Sequence, residues 1–394
     1  MAAGTSIVES TPVTPKPLRV CFVTETFPPE VNGVAHTLHR LAAGLGERGH
    51  RLQIVRPRQP RPAPDIEAPD VRTVVANSIP LPFYQELRLG LPAARVIDRL
   101  WAEQRPDVVY VATGGLLGWS AVARARRWSL PVVSGFHTNF HSYTRYYNLG
   151  PLRPLIYRYL RALHNRSNRT LVPTTGLQQA LQAGGFREVA VLGRGVDTAL
   201  FSPTRRDAAL RLRWGAGPGT PVVVYVGRIA PEKNLGLARR AFEAVRRSAP
   251  GARFVLVGDG PQRHTLEKAH RDWVFCGMRT GTDLAAHYAS GDIFLFPSET
   301  ETYGNVILEA MASGLAVVAY DYAAAGELIA PQIQGRLAPL GNEAAFIDAA
   351  TTLAGDPAQL SRLSGAAREE ARRHGWASVV GRFETLLYET IRAS

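Results

Sequence analysis

Glu301 and Glu309 bracket the run Glu301-Thr-Tyr-Gly-Asn-Val-Ile-Leu-Glu309, which continues as Ala-Met-Ala-Ser-Gly314. Earlier in the chain, Gly227-Arg228 and Lys233 follow a run of β-formers from Pro221 to Val226. Carboxylates accept hydrogen bonds from hydroxyls, and cations hold phosphate oxygens. Two of each, near a glycine that lets backbone approach a ligand, suit a nucleotide-activated sugar. Only three of the 46 basic residues are lysines, which sets Lys233 apart from the arginine background, although a surface charge on a loop is the plain alternative. Glu309 lies among Val306, Ile307, Leu308, Ala310 and Met311, where an unpaired charge is costly. The backbone amides of Tyr303, Gly304 and Asn305 are further candidates for sugar or phosphate. The chain contains no Asp-x-Asp, so the charge on a departing phosphate is expected to fall to Arg228, Lys233 and helix amino ends, with no metal and no cofactor.

Those residues need strands and helices to hold them. From Leu18 short β-rich runs alternate with longer helical stretches, the pattern of doubly wound α/β domains. Strands are expected at 18–25, 52–56, 71–75, 107–112, 131–136 and 169–173, and helices near 34–48, 91–104, 116–128, 151–166 and 175–184. A second series begins at Val222, with strands near 253–258, 273–276, 292–296 and 316–320. The stretch 193–220, with glycine, proline and several arginines, reads as a linker. This divides the chain into a disordered tail (1–17), a first domain (18–200), a second domain (201–375) and a helical end (376–394). Trp376 to Ile391 has helical periodicity.

A length of 394 residues allows two cores, and apolar and charged contents of 45% and 20% are those of a soluble globular chain. Cys21 and Cys276 sit in apolar runs in opposite halves and read as core residues of a reducing compartment. No long apolar run is free of charge, and the first seventeen residues lack the apolar stretch of a signal peptide. A cytoplasmic protein, peripheral on the inner face of the plasma membrane, is the expectation. Residues 1–200 carry 24 Lys and Arg against 13 Asp and Glu, whereas residues 201–394 carry 22 against 20. An arginine-rich genome explains the abundance, and an anionic surface facing the first half explains the placement. Basic and aromatic side chains alternate with leucines between Tyr143 and Arg166. Arg153, Arg158 and Arg161 then lie on a helix suited to anionic lipid, or equally on one packed against its own domain.

The chain resembles the retaining glycosyltransferases of family 4, which have the GT-B fold of two Rossmann-like doubly wound domains facing a cleft. The matching pieces are Gly227-Arg-Ile-Ala-Pro-Glu-Lys233-Asn, Val257-Gly-Asp-Gly260, Pro297-Ser-Glu-Thr-Glu301 through Gly314, Gly195-Val-Asp197 and Phe201-Ser-Pro203. The stretch from His137 looks like lipid-modifying members, including GDP-mannose-dependent α-mannosyltransferases and sulfoquinovosyl or glucuronosyl diacylglycerol synthases. The resemblance implies that the terminal helix crosses back onto the first domain. It assigns Glu309 to the ribose, Glu301 to the transferred sugar near the reacting carbon, and Arg228 and Lys233 to the diphosphate. Cys276, Gly277, Met278 and Val306 complete the donor site. The loop from Thr24 to Thr37, with Asn32 and Gly33, approaches the donor phosphate and shapes the acceptor site. His137 takes a catalytic place at the sugar-binding face, with Asn139 and His141 on the acceptor side. Where many members have asparagine before Gly-Val-Asp, this chain has Arg194, a candidate acceptor contact.

The reaction implied is transfer of a hexose, from GDP-mannose by preference, to a hydroxyl of a membrane lipid such as a diacylglycerol or phosphoinositide glycolipid. A UDP-glucose or UDP-glucuronate donor and a soluble glycan acceptor stay open. A sugar-nucleotide epimerase or a pyridoxal-dependent phosphorylase fits the glutamate pair poorly, and Lys16, Lys233 and Lys268 are the only lysines for an imine. A nucleic-acid binder, the reading from another class, lacks a recognisable RNA-binding or zinc motif, and no nucleic-acid partner is expected.

Overall fold

The structure, a computed structural model, describes residues 16–30, 32–59, 66, 68, 70–81, 84–137 and 153–394. The first lobe holds β1 (Arg19–Val23), β2 (Arg51–Pro57), β3 (Val71–Ala76), β6 (Val108–Val111), β7 (Val132–Gly135), β8 (Arg169–Val172) and β9 (Val189–Val191) in one sheet, with a separate hairpin β4 (Ser78–Leu81) and β5 (Tyr84–Gly90). Its order is β3-β2-β1-β6-β7-β8-β9, with every pair parallel. The second lobe holds β10 (Val222–Val226), β11 (Arg253–Val257), β12 (Val274–Gly277), β13 (Ile293–Phe296), β14 (Ala316–Tyr320) and β15 (Gly335–Ala338). Here too the pairs are parallel, in the order β12-β11-β10-β13-β14-β15. Val222 to Val226 is buried throughout, because helices cover both faces of a parallel sheet and leave no strand face for water.

In each lobe the strand order reverses beside the first strand. β1 lies between β2 and β6, and β10 lies between β11 and β13. Ligands of open α/β sheets bind at such reversals, beyond the carboxyl ends of the strands. The loops that leave β10 and β13 carry Lys233 and Glu301, and Gly33 opens the helix that follows β1, so the topology places at these reversals the residues singled out by their chemistry.

The helix Trp376–Arg392 returns to the first lobe. Val380, Phe383, Leu386 and Leu387 are buried in one cluster with Phe22, Leu38, Leu41 and Tyr110. The Phe383 ring lies 4.9 Å from that of Tyr110 and 6.1 Å from that of Phe22. Glu384 pairs with Arg48 and His50, each at 2.7 Å, and Glu389 with Arg169 at 2.6 Å. The chain fold is therefore GT-B in form: two doubly wound lobes with the last helix crossing back.

Some elements depart from the sequence pattern. Residues 193–220, read as linker, contain a 3-10 turn Pro203–Arg205 and a helix Ala208–Arg213. Arg206 and Arg211 fasten this stretch to Asp292 at 2.7 and 3.1 Å, a partner remote in sequence. The edge strands β9 and β15 and the β4–β5 hairpin have no strong run of β-formers to announce them. Cys21 and Cys276 are both free, one in each lobe. No helix among the described residues is long and apolar enough to cross a membrane.

Phe383→Ala should cost roughly 3–5 kcal/mol, the usual range for emptying a large aromatic site in a core. Hydrogen exchange should show the loss in β1 and β6 of the first lobe and not in β10 and β13. Equal loosening of both lobes would contradict the packing.

Candidate functional site

Lys233 ends a 3-10 turn that follows β10, and Glu301 sits in the loop after β13. Because the two strands are neighbours, the side chains meet. Lys233 Nζ donates to Glu301 Oε1, and the Ser298 hydroxyl donates to the same oxygen at 2.9 Å. Arg228 Nη1 lies 3.2 Å from the buried carboxylate of Glu232 and leaves 42% of its side chain exposed. Acids thus fix the position of both cations while a large guanidinium surface still faces outward.

Gly304, at φ +98°, turns the chain into the helix Asn305–Ala312. A side chain there would be strained by that backbone and would lie 3.2 Å from Phe296. Glu309 projects from the helix, and Tyr288 donates to its Oε2 at 2.8 Å. Burial pushes the carboxyl pKa up to about 7, against the Tyr288 hydrogen bond, which lowers it. Tyr303 is buried. Cys276 and Gly277 end β12, and Met278 beyond them is 59% exposed. Val306 occupies the first turn of the same helix as Glu309 and is half-buried.

From the first lobe, Asn32 caps the helix Gly33–Glu47 by accepting from the amides of Val34 and Ala35 at 3.1 and 2.8 Å. Its side chain is committed to the fold. Asn305 Nδ2 would lie 3.3 Å from a Cβ on Gly33. The amino ends of two helices, one from each lobe, therefore face each other across the cleft, and their positive poles converge.

His137 follows β7 and is buried between Tyr110 and Arg194, with Nε2 2.7 Å from the Tyr110 hydroxyl and Nδ1 2.6 Å from Arg194 Nη2. Burial, then the charge of Arg194, then His164 hold its pKa well below the ordinary imidazole value. Arg194 is itself buried and forms no salt bridge among the described residues. Asn139 and His141 lie outside the described residues, as does the side chain of Arg153. Arg158 and Arg161 are exposed on the helix Arg153–His164.

Tyr110, Tyr288, Ser298 and Glu232 were not marked by the sequence: Tyr110 and Tyr288 gain their partners only across elements, whereas Ser298 and Glu232 pair locally with Glu301 and Arg228. Glu25 is another such residue. It accepts from the Leu117 amide at 3.2 Å, at the start of the helix Leu116–Arg127, and burial pushes it up to about 7. Glu327 of the second lobe accepts from the amides of Thr175 and Gly176 in the first, at 2.7 and 3.2 Å.

Comparison with known proteins follows these lines. The family described as Glycosyltransferase Family 4 matches residues 31–200, and that described as Glycosyl transferases group 1 matches residues 220–356. A GDP-mannose-dependent alpha-mannosyltransferase of Mycolicibacterium smegmatis is 36% identical over 94% of this chain and 98% of its own length. Sulfoquinovosyl transferase SQD2 of Arabidopsis thaliana is 32% identical over 95% of this chain and 74% of its own. Among solved structures, Anabaena Alr3699/HepE in complex with UDP superposes with a TM-score of 0.74 at 20% identity, over 94% of this chain and all of that one. The last likeness speaks for the fold.

Burial raises the Glu309 carboxyl from 4.5 to about 7, so between those values the folded chain binds a proton that the unfolded chain has lost. Stability from this group is therefore greatest at low pH and falls as pH rises towards and past 7. Glu309→Gln should melt higher than the wild type at pH 8 and level with it at pH 5. Thermal melts at the two pH values check this, and a constant difference would refute the burial argument.

Proposed function

This chain belongs to glycosyltransferase family 4, and from that premise we propose that it moves a hexose from a nucleotide diphosphate to a hydroxyl of a membrane lipid, keeping the α configuration. It is a hexosyltransferase. GDP-mannose is the proposed donor, by similarity to the α-mannosyltransferases, and a diacylglycerol or phosphoinositide glycolipid the proposed acceptor. The observation that carries the reading is the meeting of Lys233 with Glu301 at the β10/β13 reversal, opposite the paired helix ends at Gly33 and Asn305.

In this reading the diphosphate lies against Arg228, Lys233 and the two helix ends. Glu309 accepts from the ribose hydroxyls. Glu301, held by Lys233 and Ser298, accepts from the sugar beside its reacting carbon, and Met278, Gly277 and Cys276 flank the base. As the bond from the anomeric carbon to the phosphate oxygen breaks, negative charge grows on the phosphate, and the two cations bind it more strongly than in the ground state. The acceptor oxygen bonds to the same face of that carbon, and its proton passes to the leaving phosphate. Closure of the lobes brings the Gly33 loop and His137 onto the donor and excludes water.

The lipid surface is proposed on three helices of the first lobe. The helices Ala94–Glu103, Leu116–Arg127 and Arg153–His164 share a buried cluster, and Trp119 stacks on Tyr159 at 5.2 Å. Exposed along these helices are Arg99, Arg127, Arg158 and Arg161, together with Val96, Leu116 and Leu155, the last 64% exposed. Inward packing of Tyr159 accounts for part of the aromatic content of the third helix. Its basic side is left for anionic lipid. A donor other than GDP-mannose is the second reading, favoured by the likeness to a sulfoquinovosyl transferase.

Lys233→Ala and Glu301→Ala should each lower turnover at least about tenfold in a screen of GDP- and UDP-sugars, the scale of losing one charge-stabilising contact. Turnover in EDTA should match that without it. Wild-type rates in either variant reject the assignment. The chain should also sediment with anionic but not neutral vesicles at low salt. Neutralising Arg153, Arg158 and Arg161 together should release it, and no association by the wild type would count against the lipid surface.

A further inference from the structure

The protons around His137 can be placed by chemistry. Arg194 lies just after β9, in the connection between the lobes, and only 6% of it is exposed. Its Nη2 is 2.6 Å from His137 Nδ1, and its Nη1 donates to the carbonyl oxygens of Leu192 and Gly193 at 3.3 and 3.5 Å. A guanidinium offers donors only. Nδ1 must therefore present its lone pair, and the single proton of the imidazole must sit on Nε2. From there it is donated to the Tyr110 oxygen, 2.7 Å away. A second proton on the ring would set N–H against N–H and break the Arg194 contact.

The surroundings hold this arrangement. A Cβ on residue 135 would lie 2.4 Å from His137 Nε2 and 2.6 Å from the Tyr110 oxygen, so the pair forms only because Gly135 has no side chain. The ionisable groups facing the ring are Tyr110 of β6, His164 of the helix Arg153–His164, and Arg194; no carboxylate among the described residues pairs with Arg194. The hydroxyl of Tyr303, in the loop between Glu301 and Gly304, lies against the Arg194 backbone amide. One residue of the connection thus touches the imidazole of the first lobe and the glutamate-bearing loop of the second.

We infer that Arg194 is a positioning residue, which pins His137 as its Nε2–H tautomer turned onto Tyr110 and so removes this imidazole from proton transfer during the reaction. The inference rests on the proposed reading only in placing His137 at the sugar. It deepens that reading, because with the ring occupied at both nitrogens the acceptor's proton has the departing phosphate as its destination. Arg194 then acts through His137 and Tyr303 and not as a contact of the acceptor.

The full chain labelled with nitrogen-15 at histidine tests it. Two-bond proton–nitrogen spectra, with the His137 signals identified by their loss in His137→Gln, should show an unprotonated Nδ1 and a protonated Nε2 that do not change from pH 8 to pH 5. In Arg194→Met the Nδ1 lone pair loses the donor that faces it, so part of the ring should move its proton to Nδ1 and the spectrum should show a tautomer mixture, burial still keeping the ring neutral. Arg194→Lys, which keeps a donor-only cation, should restore the single Nε2–H signature. A proton on Nδ1 in the wild type, or an unchanged spectrum in Arg194→Met, would overturn the inference. Should Arg194→Met fail to fold, the wild-type spectrum decides alone. The spectra need no sugar donor, so they stand or fall separately from the proposed reaction.

Discussion

Parallel pairing is the constraint on which the rest of this molecule depends. Strands that all run one way end at one edge, and each must leave by a loop on that edge before its crossover helix begins. Where neighbouring strands send their helices to opposite faces, those loops part and leave a crevice. Both lobes contain such a reversal, beside β1 and beside β10. Gly33, Lys233 and Glu301 are gathered at crevices for this reason, although the last two lie far apart in the chain.

Electrostatics then acts within that geometry. Helix amino ends at Gly33 and Asn305 converge, and positive poles brought together in a partly dehydrated cleft favour an anion between them. Glu301 and Glu232 hold Lys233 and Arg228 in place beside the reversal. Glu309 and Glu25 illustrate the opposite effect. Crowded by apolar neighbours and given few donors, each is held towards its protonated form.

The two lobes are joined by more than the chain. The last helix buries Phe383 in the first lobe, Glu327 caps a first-lobe helix from the second, and Asp197 pairs with Arg40 at 3.0 Å. Arg194 belongs to the same region, buried where the connection passes between lobes.

Alternating β-rich and helical runs were enough to determine a doubly wound pair of domains, and the spacing of Glu301, Glu309, Arg228 and Lys233 marked them as candidates. Those features are local: apolar periodicity, strand-ending glycines and charges at fixed offsets act over one βα unit. The apolar neighbours of Glu309 even announced its burial. Tertiary structure alone decided which groups meet. Tyr288 reaches Glu309, Tyr110 and Arg194 clasp His137, and Arg211 finds Asp292, each across elements whose contact depends on strand order and helix crossing. The edge strands β9 and β15 were likewise settled by the neighbour they pair with, because a short strand takes its conformation from the ladder beside it more than from its own residues.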